Sequence, residues 1–96
     1  MEAGRNIVRM HYNFRGRVQG VGFRYTAYYA AKQLGLTGFV ENEYDESVTM
    51  EVQGPAEDIE AMLRMIRGSR WIHIDSANPR KIKTVEGERS FRVRGY

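Results

Sequence analysis

The sequence predicts an α+β fold in which two helices pack on one face of an antiparallel sheet of four or five strands. Three observations predict it. Polar and apolar residues alternate near both ends of the chain, two segments carry apolar residues at helical spacing, and two short strand-like segments, the second of them alternating, lie between those helices. Because each alternating strand has a polar side, both helices are expected to cover the same, apolar face.

The N-terminal half predicts a strand, a glycine-rich loop, a helix and a hairpin. Apolar and polar residues alternate over residues 8–15, as in a half-buried strand with one solvated face. Residues 23–34 place apolar side chains on one helical face, and Gly35 ends the helix. Residues 39–44 and 47–53 then form the two strands of a hairpin.

The C-terminal half predicts a second helix and one or two further strands. Pro55 suits a first helical turn, and the apolar stripe that follows ends before Gly68. An edge strand is predicted around Ile82 and Val85, and residues 91–94 alternate as the last strand. The order strand, helix, two strands, helix, one or two strands is that of the split βαβ, ferredoxin-like fold.

Composition limits the class of protein. The 96 residues are 42% hydrophobic and 28% charged and include no cysteine, as expected of one domain over residues 1–96 with residues 1–6 as a flexible extension. The lack of cysteine excludes disulfides and a thiol nucleophile, and no segment has the roughly 20 apolar residues of a membrane span. We expect a monomeric, cytoplasmic protein without membrane association. The excess of 15 Lys and Arg over 12 Asp and Glu favours anionic partners.

The loop GRVQGVGFR, residues 16–24, is the main candidate site. Its glycines permit positive φ and close backbone approach, so that successive amide groups point at one centre. Phosphate binds at such loops where they lead into a helix N-terminus. An arginine at this positive helix end is unfavourable unless an anion lies there, so Arg24 favours phosphate binding. A loop that only turns the chain stays the alternative. The glycine spacing of residues 16–24 matches neither of the nucleotide-binding motifs GxxxxGK[ST] and GxGxxG, so ATP chemistry is not expected.

The chain resembles the acylphosphatases, a family of small enzymes that hydrolyse carboxyl phosphates. The first family signature, roughly GxVQGVxFR, is met in full by residues 16–24. The second spans residues 38–54 and is met at Gly38, Phe39, Val40, Asn42, Val48 and Gly54. Two positions depart from it: Glu41 replaces a usually basic or neutral residue, and Glu46 replaces the hairpin glycine. The C-terminal RVRGY is one residue longer than usual.

The resemblance implies a hydrolase that needs no metal ion and no cofactor. It implies that Arg24 anchors the phosphoryl group and that Asn42 orients the attacking water. The implied phosphate-binding loop consists of Gln19, Gly20, Val21, Gly22, Phe23 and Arg24. A carboxylate leaving group has a conjugate-acid pKa of roughly 4 and departs without a general acid, and fixed donors supply most of the catalysis in phosphoryl transfer. The implied ligands are an acyl phosphate as substrate and inorganic phosphate as product and competitive inhibitor.

The two departures are expected to have small effects. Glu41 lies on the strand face opposite Asn42, where solvent screens its charge. Glu46 costs about 0.5 to 1 kcal/mol of stability if the turn requires positive φ.

Other functions are weaker alternatives. His11 and His73 have no nearby ligand set in the sequence and are expected to be solvated or hydrogen-bonded. An RNA-recognition domain shares the predicted topology, but the first strand here exposes no aromatic side chain for base stacking. A binding module for phosphate or carbamoyl phosphate without turnover also stays open, although the short chain favours a free-standing enzyme. Trp71 is expected at the edge of the core. No function is assigned to Tyr25, Tyr28 and Tyr29.

Overall fold

A computed structural model describes residues 6–95 and shows two helices and a six-stranded sheet. The elements in chain order are β1 (Ile7–Arg17), α1 (Phe23–Leu34), β2 (Thr37–Asn42), β3 (Val48–Pro55), α2 (Ala56–Arg67), β4 (His73–Ser76), β5 (Arg80–Ile82) and β6 (Phe91–Arg94). The predicted flexible extension falls on residues 1–6, of which residues 1–5 lie outside the described part of the chain. Within residues 6–95, neither helix is long and apolar enough to cross a membrane.

The sheet has the order β4-β1-β3-β2-β6, and β5 also pairs with β1. The crossovers β1-α1-β2 and β3-α2-β4 each skip one strand, because β3 lies between β1 and β2 and β1 lies between β3 and β4. This confirms the predicted ferredoxin-like α+β fold. The sheet differs from the predicted one in two respects: it is mixed rather than purely antiparallel, and β5 brings it to six strands rather than four or five.

The sheet is mixed because β6 runs parallel to β2 along residues 38–41 of β2. After β5 the chain crosses to the opposite edge of the sheet and enters β6 beside the start of β2. There the backbone amide of Gly38 donates a hydrogen bond to the Ser90 carbonyl over 3.1 Å. The extra strand arises because β1 is long enough to pair with two separate short strands, β4 near its end and β5 near its start. Val85 lies outside β5, and its backbone bonds to the side chain of Gln53 instead.

The polar face of β1 is partly covered, which corrects the predicted solvated face. Arg9 is only 3% exposed, because β5 pairs alongside it and the segment after β5 carries Glu88 over it. The Arg9 guanidinium donates to carboxylate oxygens of Glu88 at 2.8 Å and Glu51 at 3.0 Å and to Gln53 Oε1 at 3.2 Å. His11 Nδ1 lies 3.0 Å from the second oxygen of Glu51. This buried polar cluster fastens the segment after β5 to the sheet.

The carboxylates of this cluster are held in their charged form. Burial alone would raise the pKa of both Glu51 and Glu88. Hydrogen bonds outweigh this effect of burial. Glu51 accepts them from His11 and Arg9, and Glu88 accepts them mainly from Arg9, so the pKa values of both carboxyl groups lie below the ordinary value of 4.5. The cluster is therefore stabilising only while these groups are ionised.

The core lies between the helices and the opposite face of the sheet. Its main contributors from the helices are Phe23, Ala27, Ala30, Ala31, Ile59, Met62 and Ile66. Phe23, the first residue of α1, is 2% exposed and its ring centroid lies 4.9 Å from that of Phe14 on β1. This contact fixes the start of α1, and with it the preceding loop, against the sheet. Trp71 is 63% exposed rather than at the core edge, because Ile72 takes the inward position after α2.

Candidate active site

Only two of the three glycines in the motif GRVQGVGFR shape the loop. Gly16 belongs to β1, at a bulge where the pairing with β4 shifts, and a Cβ atom there would collide with the His73 carbonyl oxygen. Gly20 and Gly22 have φ values of 75° and 81°, and a Cβ atom on either would meet nothing within 4 Å. Backbone conformation, and not crowding within the chain, therefore favours glycine at these two positions.

The first turn of α1 is open to an anion. Gly22 is the N-cap residue and supplies no capping side chain, and no acidic residue lies in the first turn. The first intrahelical bond runs from the Thr26 amide to the Gly22 carbonyl over 2.9 Å, so the amide groups before Thr26 face out of the helix end. By contrast, α2 begins with the acidic residues Glu57 and Asp58 in its first turn. The positive end of α1 has no such charge of its own to complement it.

Gln19 attaches the loop to the β2–β3 hairpin. Its side-chain amide Nε2 donates to the carbonyl oxygens of Glu43 at 2.9 Å and Ser47 at 2.8 Å. These carbonyls lie at the two sides of the turn that directly follows Asn42, so Gln19 sets the position of the loop relative to that residue. This side-chain contact of Gln19 depends on the tertiary fold and was not predicted from the sequence.

The hairpin turn is itself closed by side-chain hydrogen bonds. Asp45 accepts from the Ser47 hydroxyl at 2.6 Å and from the Ser47 amide at 3.1 Å, and Arg15 donates to its other oxygen at 2.7 Å. These hydrogen bonds, of which those from Ser47 have the largest effect, lower the pKa of the Asp45 carboxyl group to about 2. Between them Glu46 takes up φ = 73°, so the turn does require the left-handed conformation at a position without glycine.

Arg24 and Asn42 line the same cavity, which has a volume of about 510 Å³. Arg24 lies on the first turn of α1, and Asn42 is the last residue of β2. The complete lining consists of Val18, Gly20, Gly22, Phe23, Arg24, Tyr25, Tyr28, Asn42 and Val93. Of the six residues of the predicted phosphate-binding loop, four thus reach the cavity. The other two are Gln19, bonded to the hairpin, and Val21, which packs against the core.

Arg94 and Gly95, at the end of β6, lie against both candidate residues. Arg24 Nη1 donates to the Arg94 carbonyl at 2.9 Å, which fixes the half-buried guanidinium. A Cβ atom at Gly95 would lie 3.5 Å from the backbone nitrogen of Asn42 and 3.8 Å from Arg24 Nη1. Gly95 therefore bridges the space between the helix start and the end of β2.

Comparison with known proteins identifies the family. A model of the acylphosphatase family matches residues 10–93. An acylphosphatase from Caldanaerobacter subterraneus subsp. tengcongensis is 38% identical over 85 residues, which are 88% of this chain and 94% of that protein. The chain belongs to the acylphosphatase family. The resemblance and the predicted activity, hydrolysis of acyl phosphates, are thereby confirmed at the level of the family.

Solved structures agree with this assignment. The acylphosphatase from Bacillus subtilis has a TM-score of 0.82 and 27% identity, covering 91% of this chain and 98% of that one. Full-length HypF, in a form with bound phosphate and nucleotide, has a TM-score of 0.82 and 29% identity, covering 99% of this chain but only 13% of HypF. The same fold therefore occurs both as a whole small protein and as one part of a larger one.

In this acylphosphatase, Glu41 is paired. Its carboxylate lies 3.3 Å from Arg94 Nε, and the Arg94 guanidinium also lies 4.0 Å from the centroid of the Phe39 ring. The parallel register of β2 and β6 places Glu41 opposite Arg94. The departure from the family pattern at position 41 is thus accompanied by an opposite charge on the neighbouring strand.

Neither histidine of the acylphosphatase lines the cavity. His11 is hydrogen-bonded within the polar cluster on the other face of the sheet. His73 is 77% exposed and lies 3.4 Å from Asp75. Over residues 6–95, no three His, Cys, Asp or Glu side chains are grouped so that they could hold a metal ion.

Proposed function

We propose that this acylphosphatase hydrolyses acyl phosphates without a metal ion, with the phosphoryl group bound by the loop at residues 19–24. The observation that carries the proposal is the shared cavity. Arg24, at the open N-terminus of α1, and Asn42, at the end of β2, both line it together with the loop glycines.

The loop and Arg24 bind the phosphoryl group. Amide groups of the loop and of the first helical turn donate hydrogen bonds to its oxygens, and the helix dipole favours the negative charge. Arg24 adds donors from a planar guanidinium whose geometry matches two phosphoryl oxygens. Its bond to the Arg94 carbonyl holds the guanidinium in place before substrate arrives, so little reorganisation is needed in the transition state.

Asn42 orients the water. Its side-chain amide offers an acceptor oxygen and a donor NH₂ group, so it can hold a water molecule in one orientation. The water oxygen forms a bond to phosphorus while the bond between phosphorus and the acyl oxygen breaks. The bonding pair leaves with the carboxylate, and a phosphoryl oxygen takes up the water proton. The products are a carboxylate and inorganic phosphate, which fits the same loop and acts as a competitive inhibitor.

The test is hydrolysis of acetyl and benzoyl phosphate by the purified chain in excess chelator. Turnover is expected to be unchanged by chelation, and alkyl phosphate monoesters are expected to react far more slowly because their leaving group requires a general acid. If chelation abolishes activity and added Mg²⁺ or Zn²⁺ restores that activity, the metal-free mechanism is contradicted. Turnover of alkyl phosphate monoesters as fast as that of acyl phosphates would contradict the mechanism, because it would require a general acid.

A binding module without turnover is the second candidate, favoured by the match to a small part of HypF. Such a module would bind phosphate in the same loop but leave acyl phosphates intact. Phosphate binding measured by calorimetry beside the hydrolysis assay separates the two candidates, and an RNA titration in parallel tests the nucleic-acid alternative. The predicted monomeric state and cytoplasmic location stay predictions.

A further inference from the structure

The cavity at the site is larger than a phosphoryl group requires. Its volume of about 510 Å³ lies in the range of roughly 300–1,000 Å³ that proteins use for whole organic ligands. A phosphoryl group is only a few times the size of a water molecule, which takes up about 30 Å³ in the liquid. Most of the cavity is therefore left for the part of the substrate that carries no phosphorus.

That remaining part has apolar walls. Arg24 and Asn42 are its polar side chains, whereas Tyr25 and Tyr28 of α1 and Val93 of β6 contribute apolar surface to its lining. Tyr25 is 68% exposed and Val93 is 46% exposed, so both present apolar surface that no other part of residues 6–95 covers. Such surface beside a binding site favours contact with an apolar ligand group.

Apolar and basic side chains line a second region beside the cavity. A second open region, of about 500 Å³, is lined by Tyr28, Phe91, Arg92, Val93 and Arg94. It shares Tyr28 and Val93 with the cavity, so the two regions adjoin between α1 and β6, and together they are termed the groove. Since β6 is an edge strand, this groove is not closed by a further strand, and it has room for a group longer than the cavity itself.

Three tyrosine rings of α1 contact one another beside the groove. The rings of Tyr25 and Tyr29 stack with centroids 5.8 Å apart and an interplanar angle of 12°. The rings of Tyr28 and Tyr29 meet edge to face at 5.3 Å. Rings that are already ordered lose little side-chain entropy when a ligand packs against them.

We propose that the groove between α1 and β6 is the subsite for the acyl group, and that it selects acyl phosphates whose acyl group is extended and apolar. The proposal builds on the proposed function, because it takes the phosphoryl group to lie at Arg24. A single oxygen joins phosphorus to the acyl carbon, so the acyl group must begin beside the loop. An acetyl group ends there, whereas the ring of a 3-phenylpropanoyl group extends towards Tyr28 and Val93.

The first experiment compares kcat/KM for acetyl, butanoyl and 3-phenylpropanoyl phosphate. The values are expected to rise in that order, with 3-phenylpropanoyl phosphate at least about tenfold above acetyl phosphate, since even one methylene in an apolar pocket changes kcat/KM by roughly 10- to 200-fold. Equal values for the three substrates would overturn the subsite. A preference for succinyl phosphate over 3-phenylpropanoyl phosphate would also overturn it, because the arginines of β6 would then select the acyl group.

Variants assign the effect to the groove. Val93→Thr keeps the side-chain shape but adds a hydroxyl, and Tyr25→Ser removes an exposed ring. Each is expected to lower the kcat/KM ratio of 3-phenylpropanoyl to acetyl phosphate by about threefold or more. The matched control is Tyr44→Ser, which removes a 96% exposed tyrosine on the hairpin outside the groove and should leave the ratio unchanged. A ratio that is the same in all three variants and the native chain would overturn the assignment.

A binding measurement tests the subsite apart from turnover. Affinities of 3-phenylpropylphosphonate and methylphosphonate, measured by calorimetry, are expected to differ in the same direction as the kcat/KM values. If no acyl phosphate is hydrolysed but the longer phosphonate binds tighter, the proposed function fails and the subsite stands. If hydrolysis occurs but the two phosphonates bind equally, the subsite fails and the proposed function stands.

Discussion

Replacing Glu46 by glycine should stabilise the protein. Glu46 has φ = 73°, and the left-handed conformation costs a residue with a Cβ atom roughly 1–2 kcal/mol. Glycine avoids this cost but loses roughly 0.5–1 kcal/mol more on folding, because its unfolded backbone is freer. Glu46→Gly is therefore expected to raise the free energy of unfolding by about 0.5–1 kcal/mol. For a domain of this size, Tm would rise by roughly 2–8 °C.

The measurement is urea denaturation followed by circular dichroism, with Glu46→Ala as the matched control. Alanine removes the charge but keeps the Cβ atom, so it should bring none of this gain. The turn itself is kept in both variants, because the hydrogen bond from the residue 46 amide to the Glu43 carbonyl, 3.2 Å long, involves backbone only. A gain as large for alanine as for glycine would attribute the effect to charge. No gain for glycine would refute the reasoning from φ.

Further perturbations test three other parts of the structure. Arg9→Met should lower the free energy of unfolding in urea by about 2 kcal/mol or more, because it leaves the partly buried carboxylates of Glu51 and Glu88 without their hydrogen bonds from Arg9; a loss under 1 kcal/mol would contradict the role of the cluster. The pKa values of the two glutamates bonded to Arg9 are lower in the folded protein than the unfolded value near 4.5, so their stabilisation is present above that pH and lost as pH falls through the folded values. Urea titrations from pH 7 to pH 3 should therefore show a steeper loss for the native chain than for Arg9→Met. Gly16→Ala should cost about 2 kcal/mol or more through its collision with β4, while Gly20→Ala should cost about 1 kcal/mol from φ alone; similar losses in thermal denaturation would contradict this distinction. Glu41→Gln should change the inhibition constant of phosphate by less than about fivefold, since a partly exposed ion pair contributes 0.2–1 kcal/mol, and a change above tenfold would give Glu41 a direct role.

The candidate site could be predicted from the sequence because most of it is contiguous. The loop, the uncapped helix start and Arg24 follow one another in the chain, and their chemistry depends on local backbone geometry. Asn42 was predicted only through the family signature, since nothing in its own segment indicates that β2 ends beside α1. The hydrogen bonds of Gln19 to the hairpin were missed because both partners are more than twenty residues away.

The rest of the fold depends on pairing between distant segments. Alternation identifies a strand at residues 91–94 but does not give its direction, so the parallel pairing of β6 with β2 was not predicted. The burial of Arg9 was missed for the same reason, because the segment that covers it lies about eighty residues later in the chain. Hydrophobic periodicity likewise treats Tyr25 and Tyr28 as ordinary helix residues, and only the position of β6 turns their surface into a groove.

The separate roles of Arg24 and Asn42 are tested most directly by measuring kcat on benzoyl phosphate and the inhibition constant of phosphate in three variants, with circular dichroism as the folding control. Arg24→Ala should weaken phosphate inhibition and lower activity together, and Arg24→Lys should rescue poorly because an ammonium group lacks the planar pair of donors. Asn42→Ala should leave the inhibition constant nearly unchanged while lowering kcat by about 10² or more, the scale expected when one positioned polar group is lost from a transition state. A folded Asn42→Ala enzyme with near-normal kcat would contradict the assignment of the water to Asn42.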